Sequence, residues 1–105
     1  MDQDKDQLFQ QGLLAHKAGD LQEAERLYRT VLASEPNHPD ANHNLGVIAI
    51  AVNQPEGALP FFEAAVIANK SKEQFWLSYL SALADMERFE EARAVLLKAR
   101  GAGVG

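Results

Sequence analysis

At 105 residues the chain is sized for one domain at most. Its composition, 47% hydrophobic and 24% charged, is too aliphatic for a disordered chain. A net charge of -5 without any Lys/Arg cluster argues against a nucleic-acid surface, and the lack of cysteine excludes disulfides, thiolate chemistry and structural zinc.

Read from the N-terminus, Met1-Asp2-Gln3-Asp4-Lys5-Asp6 is acidic and has no apolar core, so it is not a secretory signal. A first helix is predicted over 5–18, ended by Gly19 in a left-handed conformation. Asp20 with Glu23 opens a second over 21–34. Pro39 suits the first turn of a third over 39–52. The longest apolar run, Val47 to Val52, falls far short of the ~20 residues of a membrane span, so a cytoplasmic protein without membrane contact is expected. A fourth helix over 55–69 contains Pro60, which removes a backbone donor and crowds the carbonyl four residues back. A bend there, or an irregular turn at Pro55-Glu56-Gly57, is expected. Ser71 with Gln74 is expected to cap a fifth helix over 73–86, and a sixth covers 89–100.

These helices repeat. Ala24, Ala58 and Ala92 stand 34 residues apart, as do Tyr28, Phe62 and Leu96; Gly12 precedes Gly46, and Leu45 precedes Tyr79, by the same interval. With Trp76, Leu45-Gly46, Gly19-Asp20 and Pro36 in register, the chain resembles the tetratricopeptide repeat family. The resemblance implies an all-α fold, a right-handed α-solenoid of three helix-turn-helix repeats over about 5–38, 39–72 and 73–101, with 102–105 a flexible tail. The small residues read as the sites where paired helices approach, Gly12 and Gly46 facing Ala24 and Ala58, with Tyr28 and Phe62 filling the gap to the next repeat.

Three positions depart from the pattern. Asn42 replaces the first aromatic landmark, so the opening of repeat 2 is expected to pack less. Leu80 replaces the glycine of repeat 3, so its helices are expected further apart or shifted. Arg100 stands where Leu32 and Val66 stand, and only partly blunts an end face at which Leu96 is expected to stay exposed. Self-association through that face, or truncation from a longer protein, follows.

No catalytic or cofactor site emerges, and no enzyme activity is expected. His16, His38 and His43 lack a converging third metal ligand beyond Asp40. The acidic pairs sit on helix starts and outer faces, and Gly-Ala-Gly-Val-Gly neither follows a strand nor opens a helix. The resemblance places the first helix of each repeat on a concave surface that holds peptides. Carried over by position, the lining is Phe9, Leu13, His16 and Lys17, then His43, Asn44, Val47 and Ile50, then Gln74, Leu77 and Ser78. Members that grip a chaperone's C-terminal carboxylate use Lys, Asn and Arg at five positions. Here only Asn44 matches, the others being Phe9, Leu13, Gln74 and Ser78, so no such clamp is expected. What remains is an apolar strip, Phe9, Leu13, Val47, Ile50 and Leu77, suited to a protein or peptide partner. Asn44, the run Asn37-His38-Pro39-Asp40-Ala41 and Phe75-Trp76-Leu77-Ser78-Tyr79 further resemble N-terminal arrays of bacterial O-GlcNAc transferase-like and SPINDLY-like proteins, which implies a substrate-recruiting role beside a catalytic domain absent from this sequence.

Overall fold

Apolar residues at helical spacing can be buried only if each helix lays its stripe on a neighbour. The computed structural model, which describes residues 4–104, resolves this into six helices: α1 (Lys5–Lys17), α2 (Leu21–Ser34), α3 (Pro39–Ala51), α4 (Pro55–Ala68), α5 (Glu73–Asp85) and α6 (Phe89–Gly101). Consecutive helices pack as hairpins, and the hairpins stack through α2 against α3 and α4 against α5. The result is the expected helical solenoid of three repeats, elongated at 46 × 27 × 19 Å. No helix among the described residues is long and apolar enough to cross a membrane.

The core is made at the repeat junctions. Ala24, Tyr28 and Val31 of α2 close on Ala41, Leu45 and Ile48 of α3. Phe62, Ala65 and Val66 of α4 close on Phe75, Trp76 and Leu83 of α5, joined by Val95 and Ala99 of α6.

The glycine landmarks face aromatic rings, not the alanines assigned to them above. A Cβ on Gly12 would lie 2.7 Å from Tyr28 Cε1, and one on Gly46 would lie 2.6 Å from Phe62 Cδ1. Each glycine therefore makes room for a bulky residue of the partner helix. Repeat 3 changes both members of the pair together, with Leu80 for glycine and Leu96 for the aromatic ring. Volume moves from one helix to the other, and close backbone approach between α5 and α6 becomes much sparser than within the first two hairpins.

Each hairpin turn is built the same way. Gly19, Asn53 and Glu87, spaced 34 apart, all take positive φ of 83°, 60° and 59°. The next amide then reaches back five residues, Asp20 to Ala15, Gln54 to Ala49 and Arg88 to Leu83, at 2.8–2.9 Å. Only the first of these carries glycine, and a side chain in this conformation costs ~1 kcal/mol or more.

Several local expectations change. Asn42 does not loosen repeat 2: it is buried, and its Nδ2 donates to the carbonyls of Pro36 and His38 at 3.1 and 3.0 Å. Trp76, one period on, donates through Nε1 to Lys70 at 2.7 Å, also six residues back. The two side chains thus tie down the same inter-repeat loop. Ser71 does not cap α5, because the helix starts at Glu73 with Lys72 as its N-cap; Ser71 instead bonds Asn69 Oδ1 through both its amide and its hydroxyl. His38 caps α3, its Nδ1 accepting from the Ala41 amide. α4 continues through Pro60 without interruption, since the proline lies on the exposed side and the carbonyl it deprives, that of Glu56, belongs to an exposed residue. Where a tail was expected, α6 extends to Gly101, Gly103 takes φ 88° and the Val104 amide donates to Ala99 at 2.9 Å. That cap lets Val104 pack on the core; Gly105 lies outside the described residues.

Two glycine changes should therefore act oppositely in thermal melts. Gly46→Ala should lower stability by about 1–2 kcal/mol, because the buried Phe62 ring cannot retreat and the loss exceeds the helix-propensity gain. Glu87→Gly should raise it by about 1 kcal/mol through relief of the left-handed backbone.

Candidate functional site

Because glycine opens α1 to the Tyr28 ring, the tyrosine hydroxyl passes from α2 to the inner helices. It lies 3.3 Å from His16 Nδ1 on α1 and accepts from Asn44 Nδ2 on α3 at 3.4 Å. The chain of contacts continues from there. Asn44 Oδ1 lies 3.3 Å from His43 Nδ1, His43 Nε2 lies 2.8 Å from Ser78 Oγ on α5, and Gln74 Nε2 donates to Ser78 Oγ at 3.2 Å.

The directions of these bonds follow from one end. With Asn44 Nδ2 donating to Tyr28, its carbonyl faces His43 and can only accept, so His43 carries its proton on Nδ1. Neutral Nε2 then accepts from the Ser78 hydroxyl, and the Tyr28 hydroxyl donates to His16. One unidirectional run, Gln74 to Ser78 to His43 to Asn44 to Tyr28 to His16, thereby links all three repeats across their inner helices. Cooperative polarisation favours bonds aligned this way.

The His43 ring is wedged between aromatic neighbours, with centroids 4.9 Å from Phe75 and 5.6 Å from Phe62. Burial holds its pKa below the ordinary histidine value, and the nearby Lys72 ammonium adds to the effect; Asn44 and Asp40 oppose it. Lys72 is itself held by Asp40 at 3.1 Å and lies 4.8 Å from the Phe75 ring centroid.

Beside this run, α3 and α5 enclose a groove of about 470 Å³. Val47, Ile50 and Ala51 form one wall, and Gln74, Leu77, Ser78, Ser81 and Asp85 the other, over a floor of Phe62 and Ala82. Ile50 and Leu77 are 41% and 49% exposed, so apolar surface stands open to a ligand. No Lys or Arg lines the groove, and Asp85 is its charged member. Of the residues assigned from sequence, Val47, Ile50, Gln74, Leu77 and Ser78 meet here, and His43 and Asn44 adjoin them through hydrogen bonds. His16 reaches them only through Tyr28. Lys17 is exposed at the end of α1.

Phe9 and Leu13 lie outside this groove. Both pack on the first core cluster, Phe9 with centroids 5.6 Å from Tyr28 and 4.9 Å from His38. Phe62 and Ala82, the groove floor, and Tyr28, the polar link, were not among the assigned residues. A Tyr at the landmark where repeat 2 has Phe was the available signal, since a hydroxyl at that place needs a partner. Another cavity, of about 380 Å³, opens between α4, α5 and α6 around Val66, Tyr79 and Val95, beside the rearranged third hairpin.

In comparison with known proteins, the family described as tetratricopeptide repeat matches residues 15–77. No curated protein matches the chain in sequence. Among solved structures, the chain is similar to the Sgt2 TPR domain from Aspergillus fumigatus, with TM-score 0.80 and 24% identity over 94% of this chain and 66% of that one. It is similar to MamA 41-end from Desulfovibrio magneticus RS-1, with TM-score 0.79 and 28% identity over 94% and 56%. It is also similar to the first TPR of Spaghetti (RPAP3) bound to the HSP90 peptide SRMEEVD, with TM-score 0.81 and 19% identity over 93% and 78%. The chain thus spans less than two thirds of the first two proteins.

The polar run makes a pH prediction. Folded His43 titrates below unfolded histidine, so its contribution to stability is complete above the ordinary value of about 6.5 and is lost as pH falls from there through the folded pKa. Wild type should lose more Tm than His43→Gln on going from about pH 7.5 to about pH 5. Equal losses would show that His43 is not held neutral.

Proposed function

The chain belongs to the tetratricopeptide repeat family, and from that premise we propose that it is a single non-catalytic binding module of the cytoplasm that holds a partner peptide in the α3/α5 groove. The observation that carries the reading is the coincidence of open aliphatic walls, Ile50 and Leu77, with a hydrogen-bonding edge at Gln74 and Ser78. Aliphatic side chains of a ligand gain by leaving water between those walls, while backbone polar groups find Ser78 and Gln74.

Charge narrows the ligand. RPAP3 takes an HSP90 peptide ending in acidic residues. Here Phe9, Leu13, Gln74 and Ser78 stand where a carboxylate clamp needs cations and amides, the groove lining has no base, and Asp85 adds a negative charge. The fitting partner is therefore an aliphatic segment bearing Lys or Arg, which Asp85 attracts, and not an acidic C-terminus.

Panning a random peptide library tests this. Wild type should enrich aliphatic sequences flanked by Lys or Arg, and Ile50→Asp/Leu77→Asp should bind them at least ~10-fold more weakly, as loss of two aliphatic contacts requires. Both positions are exposed, so the helical circular dichroism should not change. Identical capture by wild type and variant, or binding of SRMEEVD, would overturn the reading.

A further inference from the structure

Ser78 stands at a fork between the hydrogen-bonded run and the groove. Its Oγ meets His43 Nε2 at 2.8 Å and Gln74 Nε2 at 3.2 Å, and both Ser78 and Gln74 line the groove. A serine hydroxyl has one proton to give and two lone pairs to accept with. Gln74 fills one lone pair by donating. While His43 Nε2 is bare, the Ser78 proton is committed to it, and a lone pair is left over. Once His43 gains a proton, Nε2–H donates to Ser78, both lone pairs are filled, and the Ser78 proton is left over instead. His43 has no other place for that proton, because its Nδ1–H already faces Asn44 Oδ1 at 3.3 Å.

We propose that the proton state of His43 sets the hydrogen-bonding sense of the groove edge: with Nε2 bare, Ser78 accepts an N–H of the bound segment, and with Nε2 protonated, Ser78 donates to a carbonyl or carboxylate. The proposal rests on the reading of the α3/α5 groove as a ligand site and names the group of the ligand that Ser78 meets.

The surroundings of the imidazole fit a two-state device. From α4 and α5 it faces the rings of Phe62 and Phe75, which do not titrate. Two charged groups act on it, Asp40 of its own helix and Lys72 at the entrance to α5, and they hold each other at 3.1 Å. From α2 and α1, Tyr28 and His16 reach it only through Asn44. The Tyr28 oxygen accepts from Asn44 whichever proton state His16 holds, so the changeover at Ser78 belongs to His43. Burial places that changeover below the ordinary histidine range.

Calorimetric titration with acetyl-Gln-Leu-Ile-Leu-Gln-amide tests this, since the peptide carries no charge and only the protein changes protonation. Its Kd for wild type should rise at least ~3-fold between about pH 7.5 and about pH 5, the worth of one hydrogen bond. His43→Gln and Ser78→Ala should each remove that rise, and His43→Gln keeps Asp85 and His16 as the control for other titrating groups. NMR of the free chain gives a readout that needs no ligand. His43 should carry its proton on Nδ1 at about pH 7.5, and the Ser78 Cβ resonance should titrate with the imidazole and stay fixed in His43→Gln. A peptide that binds at neither pH would sink the groove reading, and the NMR titration would then decide the inference alone. A Ser78→Ala variant with the wild-type pH dependence, a His43 proton on Nε2 at about pH 7.5, or a Ser78 resonance indifferent to His43 would each overturn it.

Discussion

The architecture depends on one steric exchange, in which a glycine of an inner helix gives its side-chain volume to a ring from the outer helix of the same hairpin. At Gly12 and Gly46 even a single methyl group would run into Tyr28 and Phe62. The exchange fixes the depth at which α1 sits on α2 and α3 on α4, and that depth sets where the ring tips end. In repeat 1 the tip is a hydroxyl, and it ends among His16 and Asn44 on the inner helices. Packing in the hairpin is thus the cause of the polar run that crosses the repeats. A core that held Tyr28 elsewhere would leave Asn44 and, through it, His43 without their alignment.

Repeat 3 shows the same rule from the other side. With Leu80 and Leu96 the volume is divided evenly, no ring crosses the interface, and α6 meets α5 less closely. The third hairpin has no tip to extend the hydrogen-bonded run, which ends at Ser78 and Gln74 on α5. Leu96 on α6 is left 37% exposed, where Tyr28 and Phe62 are buried.

Buried polar groups in this chain are satisfied and not merely tolerated. Among the described residues no buried side-chain nitrogen or oxygen lacks a partner. Asn42 illustrates why the replacement of an aromatic landmark is not a loss. What Trp76 contributes at that place is partly its ring and partly its N–H on a carbonyl six residues back, and an amide reproduces the second. His43 is the costlier case, since keeping its ring neutral between Phe62 and Phe75 ties the inner face to pH.

The six helices, their order and their ends to within a residue or so were legible in the sequence, because apolar spacing, Gly19, Asp20 and Pro39 act over a few residues and the 34-residue period repeats the message. The wrong cap at Ser71 and the unforeseen left-handed Glu87 mark the limit of such signals, since one residue of register or a tolerated strain leaves little trace in residue type. Which inner-helix residues share a surface was decided by the tertiary structure alone. Leu13 shares its periodic address with Val47 and Phe9 shares its own with Leu77, yet only Val47 and Leu77, with Ile50, line the groove between α3 and α5. Periodicity places a side chain on a face of its own helix; how far the neighbouring helix lies from that face depends on volumes supplied by residues tens of positions away.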